Sequence, residues 1–286
     1  MGFSGAGGSA LVLGGGGVTG VAWEIGVLAG LAERGVDLTA ADRVIGTSAG
    51  SVVGALVAGG VGVEEMYGAQ LVPPVAEVPA RLRRRTMAYY LYCALRARSP
   101  QEYGARLGRM ALRARTMTEA ERREVFVARL PAAGWPSRPL QITAMDAQTG
   151  DFAVLDRDSG AALVDAVGAS CAVPGVWPPV TIDGRRYIDG GMRSPANADL
   201  AAGADRVVVI APLTRAARRS GSVAAQVARL AAGGARVEAV APDATARRAI
   251  GRNVLDPTRR ADAARAGRAQ AARVHARVAA VWDGTA

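Results

Sequence analysis

The chain has 286 residues, half of them hydrophobic, and a formal net charge of +10 in which all 35 basic residues are arginine. The absence of lysine excludes P-loop chemistry, Schiff-base chemistry and every other motif that needs an amine. Two distant cysteines, Cys93 and Cys171, and a single histidine, His275, exclude a disulfide framework and a His/Cys zinc cluster, so neither metal nor cofactor is expected.

Met1–Ala10 lacks a basic residue and Ala6 stands where a myristoylation signal needs Ser or Thr. Without an apolar run of about 18 residues, a cytoplasmic protein is expected. The charge is uneven. Residues 81–130 carry 13 arginines against 4 glutamates, and residues 215–286 carry 14 arginines against 5 acids, while the remainder is acidic. Peripheral contact with an anionic membrane is therefore an expected partnership. Nucleic acid is not expected, because no recognition motif accompanies the charge.

Ala10–Leu13 reads as a buried strand that runs into four glycines, followed by a helix over Gly20–Arg34 with apolar Val21, Ile25, Leu28 and Leu31. Asp42–Ile45 predicts a second strand and Ala49–Ala58 a small-residue helix. After Pro73-Pro74 and Pro79, residues 81–130 read as helical, with Tyr89, Tyr90 and Tyr92 among the arginines. Strands are predicted at Leu140–Met145 and Phe152–Leu155, then a helix at Ala161–Ala169. A hairpin over Val180–Ile182 and Arg185–Ile188, turning at Asp183-Gly184, delivers Asp189-Gly190-Gly191. Arg206–Ala211 is a buried strand, Ser222–Ala232 a helix, Arg236–Val240 an edge strand and Asp262–Val281 a long helix. The alternation predicts an α/β fold with a mostly parallel central sheet flanked by helices. One domain over 8–286 with a helical insertion or lid at about 75–135 is the simplest organisation.

Gly46-Thr47-Ser48-Ala49-Gly50 lies where a strand meets a helix, the setting of a nucleophile elbow: Gly46 and Gly50 relieve the sharp turn and Ser48 projects at a helix N-terminus. Upstream, Gly15–Gly20 admits two readings. It is a dinucleotide-binding fingerprint, except that the second strand ends in Gly46-Thr47-Ser48 and not in an acid for a ribose. Alternatively, its unobstructed amides stabilise an oxyanion. A serine nucleophile needs a base. His275 would complete a Ser-His-Asp triad but lies in a helical pattern. Asp189 is the best carboxylate, since two glycines after a hairpin allow close approach; it must be desolvated and hydrogen-bonded to the serine to act. Asp146, Asp165 and Asp199 read as structural.

Gly15–Gly20, Gly46–Gly50, Ala169-Ser170-Cys171-Ala172-Val173-Pro174 and Asp189-Gly190-Gly191 together resemble, in order and spacing, the patatin-like phospholipases, over roughly residues 10–215. That resemblance implies a three-layer fold and a serine acyl hydrolase of lipid esters (phospholipid, lysophospholipid or acylglycerol) working through a Ser-Asp dyad. It makes Ser48 the nucleophile, Asp189 its partner, the amides of Gly15, Gly16 and Gly17 the oxyanion hole, and Ser170, Pro174, Gly190 and Gly191 the site wall. Thr19 departs from the family's Arg or Lys. A Ser-His-Asp esterase and a non-catalytic nucleotide- or lipid-binding module remain the alternatives.

Overall fold

The computed structural model describes residues 7–73, 79–130 and 134–283. The N-terminal hexapeptide used in the leader and myristoylation readings, Pro74, the proposed bounds at 75 and 286, and residues 131–133 of the expected insertion lie outside the described residues.

In chain order the elements are β1 (Ser9–Leu13), α1 (Gly17–Ala32), β2 (Arg43–Gly46), α2 (Ala49–Ala58), α3 (Val63–Leu71), α4 (Arg84–Arg96), α5 (Pro100–Arg113), α6 (Glu119–Val127), β3 (Leu140–Asp146), β4 (Phe152–Leu155), α7 (Leu163–Ser170), β5 (Val180–Ile182), β6 (Arg185–Asp189), β7 (Arg206–Ile210), α8 (Val223–Ala232), β8 (Arg236–Val240), α9 (Ala244–Ile250) and α10 (Arg260–Trp282). The eight strands form one mixed sheet in the order β5-β6-β3-β2-β1-β7-β8, with β4 also paired to β3. The run β3-β2-β1-β7-β8 is parallel, and β4, β5 and β6 pair antiparallel.

Alternation along the central strands separates two helical layers. Leu11 and Leu13 of β1 and Val208 and Ile210 of β7 face a core shared with α1, α2 and α10. Ala10, Val12, Val207 and Val209 face a second core closed by α8. α1 is buried on almost every side because α10 lies directly on it. A Cβ on Gly26 would sit 2.1 Å from the Ala264 carbonyl oxygen, and one on Gly267 would sit 2.3 Å from that of Trp23, so the two backbones touch. The arginines of α10 point outward from this alanine and glycine seam.

The register on β3 sets up the site. Ile142 pairs with Gly46 of β2 and with Leu155 of β4, so β2 and β4 occupy opposite edges of β3. Ala144 and Met145 pair with β4 and also with Asp189 and Ile188 of β6. β6 therefore shares an edge with β2, and the two strands meet end to end. Gly46 and Asp189 face β3 residues only two positions apart, a gap of about 7 Å at the usual strand rise. The turn that leaves β2 and the last residue of β6 must converge there.

Candidate active site

The convergence brings Ser48 to Asp189. The turn after β2 is held by Thr47 and Gly50, whose amides donate to the carbonyls of Leu13 and Gly14 at 3.0 and 2.9 Å. Ser48 adopts φ 52°, ψ −115°, outside the ordinary regions for a side-chain-bearing residue. Such a conformation costs about 1–3 kcal/mol and persists only where the surroundings enforce it. Here they do. The Ser48 amide donates to Ser170 Oγ at 2.8 Å, and its carbonyl accepts from Ser51 Oγ at 2.7 Å and Cys171 Sγ at 3.2 Å. With the backbone pinned on both sides, only Oγ is left to aim, and it donates to Asp189 Oδ2 at 2.7 Å.

Asp189 is 2 % exposed. Its other oxygen accepts the Gly191 amide at 2.7 Å. Burial pushes the carboxyl up to about 7; the hydrogen bonds from Ser48 and Gly191 pull the other way without overcoming desolvation. A carboxylate near 7 is matched to proton transfer at neutral pH, as a solvated aspartate is not. Beneath the pair, buried Asn197 (φ 49°) directs Nδ2 towards Thr47 Oγ1, Thr143 Oγ1 and the carbonyls of Gly190 and Ser194, at 3.0–3.2 Å. It thereby ties the turn carrying the serine to the turn carrying the aspartate. Asn197 and Thr143 carry no local pattern that marks them, since the network they join draws on three separate stretches of chain, around Thr47, Thr143 and 190–197.

The glycine loop is more selective than the sequence suggests. The Gly15 amide is committed to the Pro195 carbonyl at 2.7 Å, so it does not point at a ligand. Among the described residues no hydrogen bond engages the amides of Gly16 and Gly17, which open α1 without a side-chain cap. Gly17 and Ser48 line the same cavity. The amides of Gly16 and Gly17 are therefore open at the N-terminus of α1, an end that favours an anion.

At the foot of the loop Glu24, the only charged residue in α1, is wholly buried. Its Oε1 accepts the Gly14 amide at 2.8 Å, and burial raises its carboxyl well above the ordinary range. A lone carboxylate among Ala22, Trp23 and Ile25 is a visible sequence signal, overlooked in favour of the glycines. Thr19 is buried too. Its amide and Oγ1 both donate to the Val254 carbonyl, at 3.1 and 3.3 Å, so this position closes α1 against the segment leading to α10 and has no room for a long cation.

A cavity of about 810 Å³ opens above Ser48. Val18, Val21, Val52, Leu56, Met66 and Phe126 give it an apolar lining, with Arg122, Arg129 and Arg260 among the polar groups. The Arg122 guanidinium stacks 3.8 Å over the Trp177 ring. The wall after α7 is made by Cys171, Val173 and Trp177. Ser170 and Pro174, expected as wall, lie behind it: Ser170 holds the Ser48 amide, and the Pro174 carbonyl accepts the Tyr90 hydroxyl at 2.7 Å. Gly190 and Gly191 also stand off the cavity, supporting Asp189. Burial pushes the Cys171 thiol up to about 12, which leaves it inert. Among the described residues no group of His, Cys, Asp and Glu is arranged to hold a metal ion.

His275 belongs elsewhere. Its Nε2 contacts the Arg34 carbonyl at 3.1 Å, just beyond the C-terminal end of α1, while Ser48 sits by the N-terminal end. Sixteen helical residues, about 24 Å of rise, intervene. His275→Ala is expected to leave ester turnover within twofold of wild type, measured on a soluble ester. Asp146, Asp165 and Asp199 are structural: the first accepts the Gln148 and Thr149 amides, and the others pair with Arg123 and Arg193.

The serine turn, buried aspartate and glycine-rich helix N-terminus meet at one place on an α/β fold, and comparison with known proteins gives that fold a family. The model of the patatin-like phospholipases matches residues 11–202, and the chain belongs to that family. Uncharacterized NTE family proteins of Mycobacterium bovis and Mycobacterium tuberculosis are 32 % identical over 189 residues, 65 % of this chain. The chain spans 43 % of the length of those relatives. Among solved structures, VipD from Legionella pneumophila matches 71 % of this chain and 50 % of its own at 14 % identity and a TM-score of 0.39. The type III effector ExoU matches 93 % and 53 % at 17 % identity and 0.38.

Proposed function

We propose that the protein is a serine acyl hydrolase that cleaves carboxylic esters of lipids (phospholipid, lysophospholipid or acylglycerol) through a Ser48–Asp189 dyad. The observation that carries this reading is the 2.7 Å hydrogen bond from Ser48 Oγ to a buried carboxylate at the floor of an apolar cavity. Ser48 Oγ attacks the acyl carbonyl as its proton passes to Asp189 Oδ2. The carbonyl oxygen, now an oxyanion, is received by the amides of Gly16 and Gly17. Collapse expels the alcohol, which takes the proton from Asp189, and the acyl chain stays on Ser48 in the cavity. Asp189 then takes a proton from a water that attacks the acyl-enzyme and returns it to Ser48 Oγ as the serine–acyl bond breaks, so the fatty acid leaves and the dyad is restored. Residues 8–286 act as one patatin-like α/β hydrolase domain in which the helices from α4 to α6 serve as a lid. The enzyme works in the cytoplasm and peripherally at a membrane. Among the described residues no helix is long and apolar enough to cross one.

A fluorophosphonate probe and a series of p-nitrophenyl esters of rising chain length test the reading. Wild type is expected to be labelled and to turn over the esters, with kcat/KM rising with pH through about 7 as Asp189 ionises. Ser48→Ala is expected to lose both labelling and turnover. Labelling that persists in Ser48→Ala would overturn the assignment.

A further inference from the structure

Helix α4 turns its apolar side outward. Its inner face is anchored: Cys93 is fully buried among Leu107, Met145 and Ile188, Tyr90 donates to the Pro174 carbonyl, and Thr86 packs at Gly175. Of the three tyrosines in this segment, Tyr90 therefore points inward. Met87, Leu91 and Leu95 follow one another at one-turn spacing on the opposite side and are 55, 61 and 77 % exposed, with exposed Tyr92 beside them. Among the described residues nothing covers this stripe, which leaves an apolar strip of the surface facing solvent.

Charge says what covers it. Six arginines (Arg81, Arg83, Arg84, Arg85, Arg96 and Arg98) bracket the stripe, and no acidic residue occurs between positions 79 and 101. Among the described residues no ion pair engages any of the six. Arg83, Arg84 and Arg85 also sit at the positive end of the helix, which has no side-chain cap and no acid in its first turn. Cations there oppose the helix dipole, a local conflict that an external anion relieves. The loop after β7 extends the same face. Arg218 hydrogen-bonds the Ala97 carbonyl at the end of α4, bringing exposed Leu213, Arg215 and Arg219 alongside, again without an acid.

We propose that the outer face of α4, with its flanking arginines, is where this protein seats on an anionic lipid bilayer, Met87, Leu91, Tyr92 and Leu95 entering the headgroup boundary and the arginines meeting lipid phosphates. The proposal rests on the lipid-ester reading above and gives it a direction. α4 is fastened through Tyr90 and Thr86 to Pro174 and Gly175, between the cavity-lining Val173 and Trp177, and through Cys93 to the strands that carry Asp189. The seated face thereby backs directly onto the wall of the acyl cavity.

The test is flotation of the Ser48→Ala protein with vesicles of phosphatidylcholine alone or mixed with phosphatidylglycerol. Binding is expected on the mixed vesicles, weakened by salt. Leu91→Asp with Leu95→Asp is expected to lower it at least tenfold. Arg84→Gln with Arg85→Gln is expected to lower it about 25-fold, at about fivefold per charge near the surface. On the wild-type background both pairs keep turnover of a soluble short-chain ester within twofold, which also shows that they fold. Equal flotation with both vesicle types at high salt, or flotation untouched by either pair, would overturn the proposal. So would a wild-type dimer that Leu91→Asp with Leu95→Asp splits, since the face would then belong to a second copy. Vesicle binding without ester turnover would sink the catalytic reading and leave the docking face standing.

Discussion

Asp189→Asn is expected to lower kcat on the order of 10²–10⁴-fold, the usual contribution of a positioned general base, while making the fold more stable at neutral and alkaline pH. The two effects share a cause. The asparagine amide has the shape to sit between Ser48 and Gly191 but cannot take the serine proton. For stability, the carboxyl titrates near 7 when folded and near 3.9 when unfolded, so the native state binds the proton more tightly. Wild-type stability therefore falls as pH rises between those values and stays reduced above about 7. The variant has no such proton to lose. Its melting temperature relative to wild type is expected to rise from pH 4 to pH 7 and then level off, a difference of a few kcal/mol at most. Thermal melts across that range read the sign. A gap that narrows with rising pH would show that Asp189 is not held as a desolvated carboxyl.

Gly50→Ala is expected to damage the fold and the site together. The added methyl would lie 2.1 Å from the Leu13 carbonyl oxygen and 2.2 Å from its carbon, which belong to the central strand β1. No rotamer change relieves a backbone contact, so α2 must withdraw from the sheet. Overpacking usually costs 1–3 kcal/mol, and a backbone clash at this depth is expected to reach about 3 kcal/mol or more. Because α2 begins at Ser48, the same shift breaks the 2.8 Å bond from the Ser48 amide to Ser170 and misaims Oγ. Loss of both melting temperature and fluorophosphonate labelling is the expected result. Gly68→Ala, on the exposed side of α3, meets nothing within 4 Å and needs no left-handed backbone, so it serves as the control for labelling.

Much of this architecture is legible in residues close together in the chain. The helix at Ala49–Ala58 and the strands at Phe152–Leu155, Val180–Ile182 and Arg236–Val240 run as their apolar patterns and flanking glycines indicate. α3 is harder to see because Gly68 interrupts a short polar stretch, and α9 because seven residues carry little periodicity; its clearest signal is Asp243, whose side chain caps the Ala246 amide. The Ser48–Asp189 pair is readable because glycines mark both turns. What surrounds it is not. The partner of the Gly15 amide is Pro195, the carboxyl beneath Gly14 is Glu24, and Asn197 joins two turns far apart in sequence. Each of these contacts depends on tertiary placement, which local pattern does not encode.

The end-to-end meeting of β2 and β6 along one edge of β3 also bears on how the chain acquires activity. The strand–turn–helix that carries Ser48 is complete within the first 58 residues, but Ser170 and Cys171, which hold its strained backbone, come from the end of α7. The partner of Ser48 lies 141 residues further on, on a hairpin that reaches β3 through three residue pairs. Closing so large a loop is slow and is rewarded only once β3 is already in the sheet. Both the contacts that hold Ser48 in its strained conformation and the base that would activate it thus arrive more than 120 residues later, so a growing or partly folded chain holds an unactivated serine.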